Sequence, residues 1–327
     1  MAEITYREAL NQALKEEMAR DDAVFLMGEE VAEYDGAYKV SRGLLDQFGD
    51  RRVVDSPISE LGFAGLGVGA AMVGLRPVIE FMTFNFSYLA LDQVINTAAK
   101  WLYMSNGQIK VPIVFRGPNG SALQLSAQHS QACETYYSHA PGCKVVTPGT
   151  PADAKGLLKS AIRGDDPVIY FEHKRLYRWI KEELPEEDFT VPIGKGIVRK
   201  EGKDLTIVCY GLMYHRSMQA AESLQKDGID AEVIDMRSLR PWDRELILES
   251  VKKTSRALLV QESSKTGGVM AEVSATITEE IFDSLDAPVT RVCGLDVPAI
   301  PFAPPMEHFF LPNAEKIARA AKKIMEY

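Results

Sequence analysis

The chain has 327 residues, 46% of them hydrophobic and 25% charged, which is an ordinary soluble composition long enough for two cores. A formal net charge of −9 argues against nucleic acid or an anionic membrane surface as the main partner. The four cysteines form no CxxC pair or zinc spacing and fit a reducing compartment.

The start, Met1-Ala-Glu-Ile-Thr-Tyr6, has no basic and apolar leader pattern, and no apolar run approaches the ~20 residues of a membrane span. A cytoplasmic protein is expected. Thr5-Tyr-Arg-Glu8 reads as a capping box, with an apolar stripe of Ala9, Leu10, Ala13 and Leu14 behind it. Candidate strands follow at Val24–Met27, Arg52–Val54, Pro77–Met82, Val111–Arg116, Lys144–Thr147 and Val168–Glu172. Helical patterns at Leu61–Gly74, Tyr88–Tyr103 and Ala152–Arg163 separate several of them, which predicts a parallel sheet covered by helices. Lys181-Glu-Glu-Leu-Pro-Glu-Glu-Asp188 is acidic and poor in apolar residues, and reads as a linker. Beyond it come strands at Leu205–Tyr210, Ala231–Met236, Ala257–Gln261 and Val289–Val292, with helices around Ser217–Lys226, Arg244–Lys253, Val269–Phe282 and Asn313–Met325. Two α/β domains are expected, over 1–185 and 190–327.

The run from Ser56 to Leu75 carries many glycines and alanines and one charge, Glu60. Gly65-Leu-Gly-Val-Gly-Ala70 fits the outline GxGxxA, with Glu80 near the end of the next strand. A dinucleotide site needs its first glycine directly after a strand, with pyrophosphate on the helix N-terminus. Here the glycines fall inside the helix, which argues against it. Gly65 and Gly69, and Ala70 and Gly74, are four apart and share a helix face, so they allow a close approach in a core or at a subunit interface. A carboxylate at the mouth of such a helix is expected to have a raised pKa unless a charge or hydrogen bond meets it. A simple capping role is the plainer reading of Glu60.

Five segments then occur in order: Val54-Asp-Ser-Pro-Ile-Ser-Glu-Leu-Gly-Phe63, Glu80-Phe-Met-Thr-Phe-Asn-Phe-Ser87, Phe115-Arg-Gly-Pro-Asn-Gly120, Ala127-Gln-His-Ser-Gln131 and His139-Ala-Pro-Gly142. Together they resemble the β subunits of the first component of pyruvate dehydrogenase complexes, a thiamine-diphosphate 2-oxo acid dehydrogenase family. The resemblance continues through Val233-Ile-Asp-Met-Arg-Ser-Leu-Arg-Pro241 and Leu285-Asp-Ala-Pro-Val289.

It implies a transketolase-like pyrimidine-binding domain followed by a smaller transketolase C-terminal-like domain. In this family thiamine diphosphate lies between an α and a β subunit, with the diphosphate and Mg2+ held by α. Glu60 matches the glutamate that hydrogen-bonds a pyrimidine ring nitrogen and favours the tautomer that activates the cofactor. Met82 and Phe86 match positions lining the aminopyrimidine, whereas Phe81 and Phe84 read as core. His129 matches a histidine that handles protons during transfer to lipoamide. The α subunit's Gly-Asp-Gly diphosphate motif is missing from this chain, so the resemblance implies half an active site in a tetramer of two α and two β chains.

Backbone carbonyls matching Ile113, Ala161, Ile162, Gly164 and Asp166 hold a structural potassium ion in the family. Carbonyl ligation tolerates side-chain change, but Gly164 stands where some relatives carry Asp. The C-terminal domain receives the peripheral-subunit-binding domain of the dihydrolipoyl acetyltransferase, and Asp286 matches a position implicated there. Phe81-Met-Thr-Phe-Asn-Phe and Pro-Asn-Gly follow the pyruvate enzymes rather than the branched-chain ones. A branched-chain 2-oxo acid or acetoin enzyme is the alternative, and a non-catalytic docking subunit is the reading from a different class.

Overall fold

The structure is a computed structural model that describes residues 3–121 and 123–327. It falls into two compact units, Met1–Asn119 with Tyr136–Ile193, and Gly120–Thr135 with Gly194–Tyr327.

The first unit holds β1 (Ile4–Thr5), β2 (Val24–Gly28), β3 (Val53–Asp55), β4 (Arg76–Glu80), β5 (Val114–Asn119), β6 (Lys144–Val146), β7 (Val168–His173) and β8 (Lys181–Glu182). Six of them run parallel in the order β6-β7-β5-β4-β2-β3. A parallel sheet is covered on both faces, and β5 and β7 are accordingly buried at every position. The helix Tyr6–Arg20 starts on the expected capping box: the Glu8 amide donates to Thr5 Oγ1 at 3.2 Å, and the Thr5 amide to Glu8 Oε2 at 2.7 Å. Its buried face, Tyr6, Ala9, Leu10, Ala13 and Leu14, is fully shielded from solvent. Arg163 of the helix Pro151–Arg163 clamps Glu17 of the first helix at 2.7 Å.

Two expectations change. The pattern over Tyr88–Tyr103 is not one helix but a 3-10 segment Phe84–Ala90, a π segment Asp92–Ala98 and an α segment Ala99–Met104. Buried Ser87 is tied to the Phe84 carbonyl and the Tyr137 hydroxyl, both at 2.5 Å, which tightens the first turn. The acidic stretch 181–188 is not a free linker. β8 pairs antiparallel with β1, Glu182 caps the helix Pro151–Arg163 by accepting from the Ala152 amide at 2.9 Å, and Asp188 meets Arg163 at 2.9 Å.

The second unit contains β9 (Ile197–Lys200), β10 (Leu205–Cys209), β11 (Ala231–Asp235), β12 (Ser238–Arg240), β13 (Ala257–Ser264) and β14 (Thr290–Gly294). Its sheet has the order β14-β13-β10-β11-β9, with β9 as an antiparallel edge the sequence pattern did not mark. Residues 120–135 join this unit through two carboxylates. Glu262 accepts from the Ser121 amide and hydroxyl at 2.7 and 2.8 Å, and Glu307 accepts from Gln124 Nε2 at 2.8 Å. Among the described residues no helix is long and apolar enough to cross a membrane.

Candidate active site

In the first unit the candidate residues collect beyond the carboxyl ends of three adjacent strands, the usual ligand-binding edge of an open α/β sheet. Gly28 of β2 is in register with Asp55 of β3 and Glu80 of β4. Glu29 therefore leaves β2 beside the chain entering Glu60 and beside the Phe81-Met82 turn. A side chain at position 28 is excluded, because its Cβ would stand 2.4 Å from the Glu80 carbonyl.

Glu60 is the first residue of the helix Glu60–Met72, and only 5% of it is exposed. The helix dipole favours a negative charge there, and Ser59 supplies no side-chain cap. Glu29 is equally buried, and its Oε1 has no hydrogen-bond partner. Burial first, and then the negative charge of Glu60, push the Glu29 carboxyl up to about 7, against a lowering hydrogen bond from the Met82 backbone. Glu29 was missed at the sequence level. Its signal was a carboxylate directly behind the apolar run Val24–Gly28, at the edge where such sheets bind ligands.

The turn after β4 sorts its aromatic residues. Phe81 and Phe84 are fully buried, and Phe81 stacks on Phe115 with ring centroids 6.1 Å apart, so both are core. Met82 and Phe86 alternate with them and stay partly exposed, available to line a ligand. Beneath lies a buried network: Arg116 pairs with Glu80 and with both oxygens of Glu172, which also accepts from the Tyr177 hydroxyl at 2.7 Å. Glu80, the acid of the dinucleotide-like outline, is thus committed to Arg116. Gly65, Gly67 and Gly69 lie inside the helix as expected. Gly67 carries the close approach, where a Cβ would meet Ile79 Cδ1 at 2.6 Å. Leu61, Leu66 and Val73 of the same segment are exposed, by 50%, 54% and 82%.

His129 lies on the second unit, exposed in the short 3-10 turn Ala127–His129 behind Ser126, whose φ is +65°. Asp286 is also on that unit; its amide donates to the Ser255 carbonyl at 2.9 Å and its carboxylate meets Arg256 at 3.3 Å. Of the carbonyls expected to hold potassium, Ile162 O and Gly164 O lie at the end of the helix Pro151–Arg163 and accept from Arg76 Nη1 at 2.9 and 2.7 Å, while Ile113 O accepts from the Val168 amide at 2.9 Å.

A buried carboxylate pair, one oxygen of it unsatisfied, beside a half-open Met82 and Phe86 fits the polar edge and flat face of an aminopyrimidine.

Comparison with known proteins shows the family of both domains. Residues 2–180 match the transketolase pyrimidine-binding domain, and residues 194–317 the transketolase C-terminal domain. A mitochondrial pyruvate dehydrogenase E1 component subunit beta-1 from Oryza sativa subsp. japonica is 54% identical over 324 residues, covering 98% of this chain and 86% of that one. A 2-oxoisovalerate dehydrogenase subunit beta from Bacillus subtilis (strain 168) is 47% identical over the whole of both chains. Among solved structures, a split-gene transketolase in an inactive beta4 tetramer aligns with a TM-score of 0.79 at 25% identity, covering 99% of each chain. With domains and relatives in agreement from end to end, this chain belongs to the β-subunit family of the thiamine-diphosphate-dependent 2-oxo acid dehydrogenases.

Proposed function

We propose that this chain is the β half of a pyruvate dehydrogenase first component, which with an α subunit decarboxylates pyruvate and acetylates the lipoyl group of a dihydrolipoyl acetyltransferase. The observation that carries this reading is buried Glu60 at the head of its helix, beside Glu29 and the Met82 turn. When bound, thiamine diphosphate supplies the electron sink that carbon–carbon cleavage next to a carbonyl requires. Glu60 would hold a proton at a pyrimidine ring nitrogen, acting as a fixed acid–base group shielded from water. Glu29 supplies a neighbouring carboxyl that stays protonated to about pH 7 and so donates as well as accepts. Met82 and Phe86 would clamp the ring faces, with their positions fixed by buried Phe81 and Phe84. His129, exposed on its turn, suits proton handling at an incoming lipoyl arm.

The diphosphate and its magnesium fall to the α subunit, since no Gly-Asp-Gly occurs in this chain. The exposed Leu61, Leu66 and Val73, on a helix carrying Gly62, Gly65 and Gly69, support a face that receives another subunit. Pyruvate is favoured by the Phe81-Met-Thr-Phe-Asn-Phe segment, whereas the relative named for 2-oxoisovalerate supports a branched-chain substrate as the second reading.

The test is reconstitution. The chain alone is expected to bind thiamine diphosphate weakly and to leave pyruvate intact. Mixing with the α subunit should give a tetramer that reduces an artificial electron acceptor with pyruvate in preference to 3-methyl-2-oxobutanoate. Substantial turnover by this chain alone would end the half-site reading, and reversed preference would select the branched-chain one.

A further inference from the structure

Two of the carbonyls at the end of the helix Pro151–Arg163, Ile162 O and Gly164 O, are bonded by a side chain. A helix leaves its last carbonyls without intrahelical partners, and its C-terminus attracts positive charge. In the family that this sequence resembles, a potassium ion answers both needs. Here Arg76, at the start of β4, reaches across with one nitrogen. Nη1 donates to Ile162 O at 2.9 Å and to Gly164 O at 2.7 Å, bridging them as a metal ion would. A third carbonyl of the set, Ile113 O, accepts from the Val168 amide at 2.9 Å.

The charges around the cluster also close without an ion. Arg76 Nη2 meets Asp165 at 2.9 Å and its Nε lies 3.7 Å from Asp21, while Lys110 meets Asp165 at 2.7 Å and Lys144 meets Asp166 at 2.8 Å. Three cationic side chains thus face three carboxylates. A further cation between Ile162 O and Gly164 O would meet the guanidinium at close range. Arg76 is only partly exposed, so this repulsion is screened less than at an open surface. Gly164 takes part through its backbone carbonyl alone.

We propose that the Arg76 guanidinium takes the place of the monovalent metal ion at this helix end, so that the chain folds and assembles without potassium. The inference is independent of the substrate and of the role given to Glu60.

The test compares thermal unfolding of the full chain in potassium, sodium and choline chloride at equal ionic strength. Wild-type midpoints are expected to agree within about 1 °C in the three salts. A saturable rise specific to potassium would overturn the proposal, and this arm needs no variant. Arg76→Met keeps the apolar stem but removes the charge and the donors. Its midpoint should fall in sodium and choline and recover in part in potassium, which can enter the vacated carbonyls. Loss without potassium rescue would overturn the idea that the guanidinium stands where an ion would. Arg76→Lys keeps a single positive donor and should lose less than Arg76→Met while remaining indifferent to potassium; a potassium-specific gain in that variant would count against the proposal.

Discussion

Glu29 lies buried against Glu60 and keeps its proton up to about pH 7. The unfolded chain releases that proton near the ordinary value of 4.5. Between these limits the folded state binds the extra proton, so this residue's contribution makes stability fall as pH rises from about 4.5 to about 7, and stay level above. Glu29→Gln removes this penalty. The variant should unfold at higher urea than wild type at pH 8, by on the order of 3 kcal/mol, with the gap closing toward pH 4.5. A gap that does not change with pH would show that Glu29 does not titrate in this window.

Glu60→Gln keeps the size and a hydrogen-bonding end but not the exchangeable proton. In the assembled enzyme, decarboxylation read with an artificial acceptor should fall roughly 10²–10⁴-fold, the usual contribution of one acid–base group. Cofactor binding should largely survive if, as proposed, the α subunit holds the diphosphate. Hydrogen–deuterium exchange at the thiazolium carbon of the bound cofactor should slow in parallel. Exchange at the wild-type rate would reduce Glu60 to a helix-capping residue.

Arg116 is wholly buried between Glu80 and Glu172. Arg116→Met leaves two buried carboxylates facing each other and should cost ~3–5 kcal/mol in denaturant unfolding. Adding Glu80→Gln and Glu172→Gln should recover part of that loss, since the penalty comes from uncompensated charge. A triple variant no more stable than the single one would place the cost in lost packing instead.

Asp286 is 58% exposed at its side chain and its partner Arg256 lies 3.3 Å away, a surface pair of little weight. Under the proposed function it would meet a basic group of an acetyltransferase's peripheral-subunit-binding domain. Asp286→Ala should weaken that binding in calorimetry, leaving decarboxylation unchanged and stability within about 0.5 kcal/mol. Unaltered affinity would remove Asp286 from the docking surface.

The primary sequence by itself determined the alternation of strands and helices, the capping box at Thr5 and the placing of glycines inside the Glu60 helix. These follow from local periodicity and cap chemistry, which short windows contain. Glu60, Met82 and Phe86 were picked out through ordered motifs that resemble a family. Only the tertiary structure decided that Glu29 joins Glu60, that Glu80 belongs to Arg116, and that Arg76 reaches the carbonyls of Ile162 and Gly164. Each of these pairings spans 31 or more residues and depends on strand order: β2 lies between β3 and β4, and β5 between β4 and β7. No local pattern encodes that order, because it is chosen by burial of the whole sheet. The same reason explains the acidic stretch 181–188, which looks like a linker in composition. Its charges find Lys159, Arg163 and the Ala152 amide only once the first and last strands of the unit have paired.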